Sequence, residues 1–175
     1  MGLLMRLLKL WGIMLGGMVG GLCVQNDTNM GVAHSLNVGI GYCLTHKPAD
    51  FMARIDAGDV MVPQRLKTQV ALMQSNPDID VCGSNMIVVA LDGSRRVTRL
   101  PETDVDIRTS IPFLNPMAHP TVMMRMNIFD AFAYNGMFYA SEDYALWAQL
   151  AGREAAWVFV FLFDEDFTTI FVVSS

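Results

Sequence analysis

Two hydrophobic periods alternate along the middle of this 175-residue chain. Residues 31–43 carry Val32, Leu36, Ile40 and Cys43 at helical spacing, which predicts an amphipathic helix with Asn29 as its cap. A turn follows at Lys47-Pro-Ala-Asp50, then a β-prone strand over residues 51–55. Pro63 suits the first position of a helix, where its missing N–H costs nothing. Leu66, Val70 and Met73 are that helix's predicted inner stripe, and Asn76-Pro77 ends it. Residues 81–91 read as one long strand that turns at Asp92-Gly93 and returns through Val97 to Leu100. Thr103 caps a short predicted helix reaching Ile111. A strand over residues 121–126 and helices over 127–133 and 142–150 complete the pattern. Strands interleaved with helices favour an α/β fold over separate α and β layers.

The two ends depart from this pattern. Residues 1–24 are apolar apart from Arg6 and Lys9. They read as a domain helix over 3–15 followed by a buried strand over 21–25, or as a signal peptide or membrane anchor with a Gly16-x-x-x-Gly20 packing spacing. The two cations shorten the clean apolar run to residues 10–24, below the roughly 20 residues that a span requires. At the other end, residues 155–163 and 167–173 are apolar runs separated by Asp164-Glu-Asp166, predicted as two strands around a turn with aggregation-prone composition. The chain thus divides into an apolar front (1–24), a central domain (25–152) and a divergent tail (153–175).

Composition narrows the function classes. A net charge of −5 and a pI near 5.0 argue against a nucleic-acid surface, which needs a basic stripe. Cys23, Cys43 and Cys82 show no C-x-x-C spacing, so they read as buried thiols of a reducing compartment rather than as a disulfide framework or zinc site. His34, His46 and His119 show no ligand spacing either.

The candidate chemistry is carboxylate chemistry. Phe51-Met-Ala-Arg-Ile-Asp-Ala-Gly-Asp59 ends an apolar strand on Asp56 and Asp59, at the edge where open α/β sheets place ligands. Two carboxylates there offer the hard oxygens that Mg²⁺ or Mn²⁺ accepts, or else form a solvated turn before a helix. Ser141-Glu-Asp-Tyr-Ala-Leu-Trp147 supplies a second acidic pair, Glu142 and Asp143, which equally suits a helix N-terminus.

Together these segments resemble the family 2 glycosyltransferases, whose fold is the GT-A nucleotide-sugar-binding domain. That family reads A-R-x-D-A-D-D at the first site and E-D-Y-x-L-W at the second. Pro63-Gln-Arg-Leu-Lys-Thr-Gln-Val70, Asn76-Pro-Asp-Ile-Asp-Val-Cys-Gly-Ser84, Arg99-Leu-Pro-Glu102 and Asn115-Pro-Met-Ala-His-Pro-Thr-Val-Met123 resemble family segments in the same order. Asn26-Asp-Thr-Asn-Met-Gly-Val-Ala33 and Ser35-Leu-Asn-Val-Gly39 fit the approach to the first site.

The resemblance implies an incomplete GT-A fold, a mixed sheet flanked by helices, lacking the front βαβ unit that forms the nucleotide floor. It implies an inverting, metal-assisted transfer of sugar from a nucleotide-sugar donor to a glycan, lipid or protein acceptor. Asp143 is then the general base, Arg54 and Asp56 bind the donor, and Asp56 and Asp59 hold Mn²⁺ or Mg²⁺. Glu142, His119 and Trp147 fall on the acceptor side, although Tyr144, Leu146 and Trp147 also read as core packing and His119 as structural. The family's second metal-site acid falls on Gly58. A catalytically inactive relative and a small membrane-anchored protein therefore stand as alternatives. The implied location is the cytoplasm or the cytoplasmic side of a membrane, reached through residues 1–24.

Overall fold

Met52, Met124 and Val81 lie side by side across three strands, and their neighbours Ala53, Met123 and Cys82 form a second row. The first row packs into a large core cluster with Leu36, Ile40, Ile107, Leu146 and Trp147. The second packs into a smaller one with Leu66, Val70 and Met73. Successive strand residues point to opposite faces, so a sheet covered on both sides needs strands that are apolar throughout. These segments accordingly read as unbroken apolar runs.

The computed structural model describes residues 10–15, 18–46, 49–152, 159–162 and 169–172. In chain order the elements are β1 (Leu10–Leu15), β2 (Met18–Cys23), α1 (Gly31–His46), β3 (Phe51–Ala53), α2 (Arg65–Ser75), β4 (Val81–Ser84), β5 (Met86–Val89), β6 (Arg95–Val97), α3 (Asp104–Ser110), β7 (Met123–Arg125), α4 (Glu142–Ala151), β8 (Phe159–Leu162) and β9 (Thr169–Val172). Short 3-10 turns occupy His119–Thr121 and Met126–Asp130. The main sheet has strand order β3-β7-β4-β8, antiparallel except for the last pair. Its core rows put α2 on one face and α1, α3 and α4 on the other. The architecture is mixed α/β.

Several expectations change. The helix predicted over residues 3–15 is instead a strand over Leu10–Leu15, paired antiparallel with Met18–Cys23; residues 1–9 lie outside the described residues. Glycine opposes Ile13, and Gly12 opposes Gly21, in a segment that also holds Trp11 and Val19. Glycines disfavour a helix there, whereas the β-branched and aromatic residues favour strands. Among the described residues no helix is long and apolar enough to cross a membrane. The predicted turn at residues 47–50 includes two positions outside the described residues.

The long strand over residues 81–91 is two strands in two sheets. Asn85, buried at the break, accepts Leu100 N–H through Oδ1 at 3.1 Å, and Met86 N–H donates to Thr98 Oγ1 at 2.9 Å. Side chains thus replace ladder bonds at the junction, and β5 leaves to pair with β6 and β9. The two C-terminal strands follow the same divergence. β8 runs parallel to β4 and β9 parallel to β5, so they do not form a hairpin with each other.

In α2 the expected stripe of Leu66, Val70 and Met73 is shifted. The fully buried positions are Arg65, Gln69 and Met73, while Leu66 and Val70 are half-buried. Arg65 is buried because its guanidinium has carbonyl partners to replace water. The helix also begins at Arg65 rather than at Pro63, and the helix expected over residues 127–133 is a 3-10 turn over Met126–Asp130, but two helix caps held. Thr103 Oγ1 accepts Asp106 N–H at the start of α3, and Asn29 Oδ1 accepts Gly31 N–H at the start of α1.

Candidate functional site

A cleft of about 390 Å³ lies where the ends of β3, β5 and α4 meet the segment from Asn115 to Pro120. Asp56, Glu142 and Asp143 line it, with Asn115, His119 and Pro120 as further polar or backbone neighbours and Met86, Leu100 and Met117 as apolar wall. The two acidic segments, distant in sequence, therefore face one opening.

On the first side, β3 carries the chain to Arg54, whose N–H donates to Val122 O at 2.9 Å. The Arg54 side chain is buried and forms an ion pair with Asp56 as well as a bond to Ile55 O. The chain then turns, with Asp59 N–H donating to Asp56 O at 3.2 Å and Gly58 at a φ of +94°. That left-handed conformation is why glycine suits the position. Asp59 is not among the cleft-lining side chains. Its Oδ2 is buried without a hydrogen-bond partner, and burial, then the charge of Asp56, push its carboxyl up to about 6 against the pull of Arg54 and Arg65.

The donor set can be tested against a hard divalent cation. Among the described residues no group of three His, Cys, Asp or Glu stands close enough to cage one. Mg²⁺-type ions need only one or two carboxylates when phosphates and water supply the remaining oxygens. Asp56 at the cleft and the buried, orphaned Asp59 Oδ2 behind it are the carboxylate oxygens of this kind on the first side.

On the second side, Glu142 and Asp143 occupy the first turn of α4, where acids complement the positive helix end. Asn115 Nδ2 donates to Asp143 Oδ2 at 2.8 Å, while Asn115 Oδ1 accepts Met117 N–H at 3.3 Å. Tyr144 also bonds Ile111 O, so helix α4 is tied twice to the strand-free segment before it.

Aromatic rings pack behind the cleft wall. His119 is buried at the cleft, its Nε2 2.9 Å from Tyr134 Oη, and its ring meets Trp147 edge-on at 6.2 Å between centroids. Burial raises the Tyr134 hydroxyl well above its ordinary value, opposed by Arg54 and reinforced by Asp143, Glu142 and Asp56. Asn37 of α1 brackets the Tyr134 backbone, giving to its carbonyl at 2.8 Å and taking from its N–H at 3.0 Å. Trp147 is fully buried in the core and does not line the cleft, which corrects its expected place on the acceptor side. Its burial agrees with the other reading of the sequence, that Trp147 packs in the core.

Two residues at this site escaped the sequence reading. Tyr134 stands in a stretch without a recognisable pattern, and nothing local marks it. Arg65 has a weak signal, a cation in the first turn of a helix, where the dipole disfavours it. The structure explains it: Arg65 donates to Arg54 O at 2.9 Å, Pro120 O at 2.8 Å and Val122 O at 3.1 Å, and to Gln69 Oε1 at 3.0 Å. Gln69 adds a bond to Thr121 O at 2.9 Å. One guanidinium thus joins the Arg54 strand end to the His119 turn.

The chain resembles named sugar-transferring proteins. It is 32% identical over 128 residues to the amylovoran biosynthesis glycosyltransferase AmsE of Erwinia amylovora, a match covering 73% of this chain and 46% of AmsE. It is 32% identical over 117 residues to the O-antigen biosynthesis glycosyltransferase WbnJ of Escherichia coli, covering 66% of this chain and 45% of WbnJ. The chain thus spans under half the length of these curated relatives. No protein-family model matches it. The relatives support a glycosyltransferase family for the chain.

Proposed function

We propose that this chain acts in sugar transfer from a nucleotide-sugar donor to a hydroxyl-bearing acceptor, through the GT-A, family 2 type of site. The observation that carries this reading is the shared cleft. Asp56 and Asp143 line one opening, with Arg54 bonded to the first and Asn115 to the second.

In this reading the donor diphosphate lies against Arg54 and Asp56. Asp56 and Asp59 would hold a Mn²⁺ or Mg²⁺ ion, which when bound would neutralise charge on the departing nucleoside diphosphate. Asp143 takes the proton from the acceptor hydroxyl as its oxygen attacks the anomeric carbon, opposite the breaking bond to the diphosphate. A base so positioned contributes about 10²–10⁴ in rate. Glu142 and His119 flank the acceptor, and the apolar wall limits water, which would otherwise receive the sugar.

Transfer or donor hydrolysis measured with the Asp143→Asn variant tests the assignment. Activity should fall by about 10²–10⁴ with donor affinity retained; an unchanged rate removes Asp143 as the base.

A second reading, a non-catalytic relative, is favoured by the pairing of Asp56 with Arg54 and by the absent side chain at Gly58. It predicts no Mn²⁺-dependent thermal shift with any nucleoside diphosphate. A ligand at a hundred times its Kd stabilises by about 2.7 kcal/mol, so a shift of several degrees would argue against this reading.

A further inference from the structure

The β5–β6 ribbon has two unlike faces. Ile87 pairs with Val97, Val88 with Arg96 and Val89 with Arg95, and directly opposite residues share a face. Met86, on the face of Val88 and Arg96, lines the cleft, as does Leu100 just beyond the return strand. The opposite face carries Ile87, Val89, Val97 and Arg95, with Arg99 in phase two residues on. None of the β5 residues is buried, Val97 is 58% exposed, and Leu91 at the ribbon's tip is 72% exposed.

Charge is concentrated on the same ribbon. The exposed lysines and arginines among the described residues are Lys67, Arg95, Arg96 and Arg99, so three of these four fall within five positions. Among the described residues none of the three has an acidic partner. The ribbon's own acid, Asp92, accepts Ser94 N–H at 2.8 Å in the turn. In a chain of net charge −5, this is a local reversal of sign.

A charged edge strand is a common guard against strand addition. Such a guard does not explain exposed Val97 and Leu91 beside the arginines, because apolar exposure works against it. A second copy of the chain would bring this arginine cluster against its own image. Apolar side chains rimmed by arginines that have no acidic partner among the described residues suit a surface that is anionic outside and apolar beneath.

We propose that the face of the β5–β6 ribbon opposite the cleft is a docking surface for an anionic lipid bilayer. The proposal is independent of the sugar-transfer reading and of residues 1–24.

Co-sedimentation of the full chain with phosphatidylcholine vesicles, with and without phosphatidylglycerol, tests it. Association should require the anionic lipid and fall as salt is raised. The double variant Arg95→Gln, Arg99→Gln should bind about 25-fold more weakly and each of its single variants about 5-fold more weakly, whereas Arg96→Gln, on the cleft-side face, should change binding least. Val97→Ser with Leu91→Ser should weaken binding without changing its salt dependence. Thermal melting of each variant separates loss of docking from loss of fold. The proposal is overturned by equal binding to neutral vesicles, by no binding to either kind, or by a folded double variant that binds as before. Capture by soluble polyphosphate with vesicles ignored overturns it too.

Discussion

Asn115 and Asp143 are joined by a 2.8 Å hydrogen bond in which the amide donates to one carboxylate oxygen, although 28 positions separate them. The amide cannot rotate freely, because its own oxygen is held by Met117 N–H. If Asp143 is the base, Asn115 fixes where its carboxylate points. The Asn115→Ala variant should lower kcat about 10-fold with donor KM nearly unchanged, since misdirected groups lose rate rather than affinity. Steady-state kinetics beside Asp143→Asn check this, and equal kcat in wild type and Asn115→Ala would contradict it.

Arg65 is the structural counterpart of that pair. Removing its guanidinium takes the side-chain donor from the carbonyls of Arg54 and Pro120 and one of two donors from that of Val122. The Arg65→Met variant should lose about 3–5 kcal/mol of stability, the range for breaking a buried, hydrogen-bonded charge network. Chemical denaturation measures it. A loss under 1 kcal/mol, on the order of a surface change, would show that the carbonyls find other partners.

Asp59 makes stability depend on pH in an uncommon direction. Its carboxyl is raised from 3.8 to about 6, so the folded chain holds a proton that the unfolded chain has released. Stability is therefore greatest below the ordinary value and declines as pH rises to about 6. The site is only partly buried, so solvent screening reduces the effect to about 1 kcal/mol. Asp59→Asn should raise Tm at neutral pH, and the gain should vanish near pH 4. A pH-independent difference would dismiss burial as the cause.

Gly58 is the position of the resemblance's missing acid. A Cβ there would meet nothing within 4 Å, but the φ of +94° strains any side chain. Aspartate tolerates left-handed backbone better than most residues. Gly58→Asp should cost about 1 kcal/mol of stability and strengthen Mn²⁺-dependent stabilisation by nucleoside diphosphates. Differential scanning fluorimetry, with and without the ion, reads both effects. Stabilisation by the ion that is no greater than in wild type would detach this loop from metal binding.

Much of the local structure was legible because its causes are local. Thr103 and Asn29 cap helices through bonds spanning two or three residues. Asn76 ends α2, and the Asp92-Gly93 turn reverses the chain into β6. The acids at 56 and 143 stand out as carboxylates at the ends of regular elements. Trp147 and Arg65 were harder. An aromatic at helical spacing reads as core or as platform until its neighbours are known, and a cation reads as surface until carbonyls close around it.

Most of the order of elements between residues 31 and 151, the apolar rows that pack on two sides of a sheet, and the kinds of acid available follow from the sequence itself, since propensity and periodicity act over a few residues. Tertiary structure alone decided that one apolar run divides between two sheets at Asn85. It also decided that Arg65 joins α2 to the strand ends, and that Asp56 and Asp143 open onto the same cleft. Those outcomes depend on which distant backbone groups come close enough to satisfy a buried donor, and no local pattern carries that information.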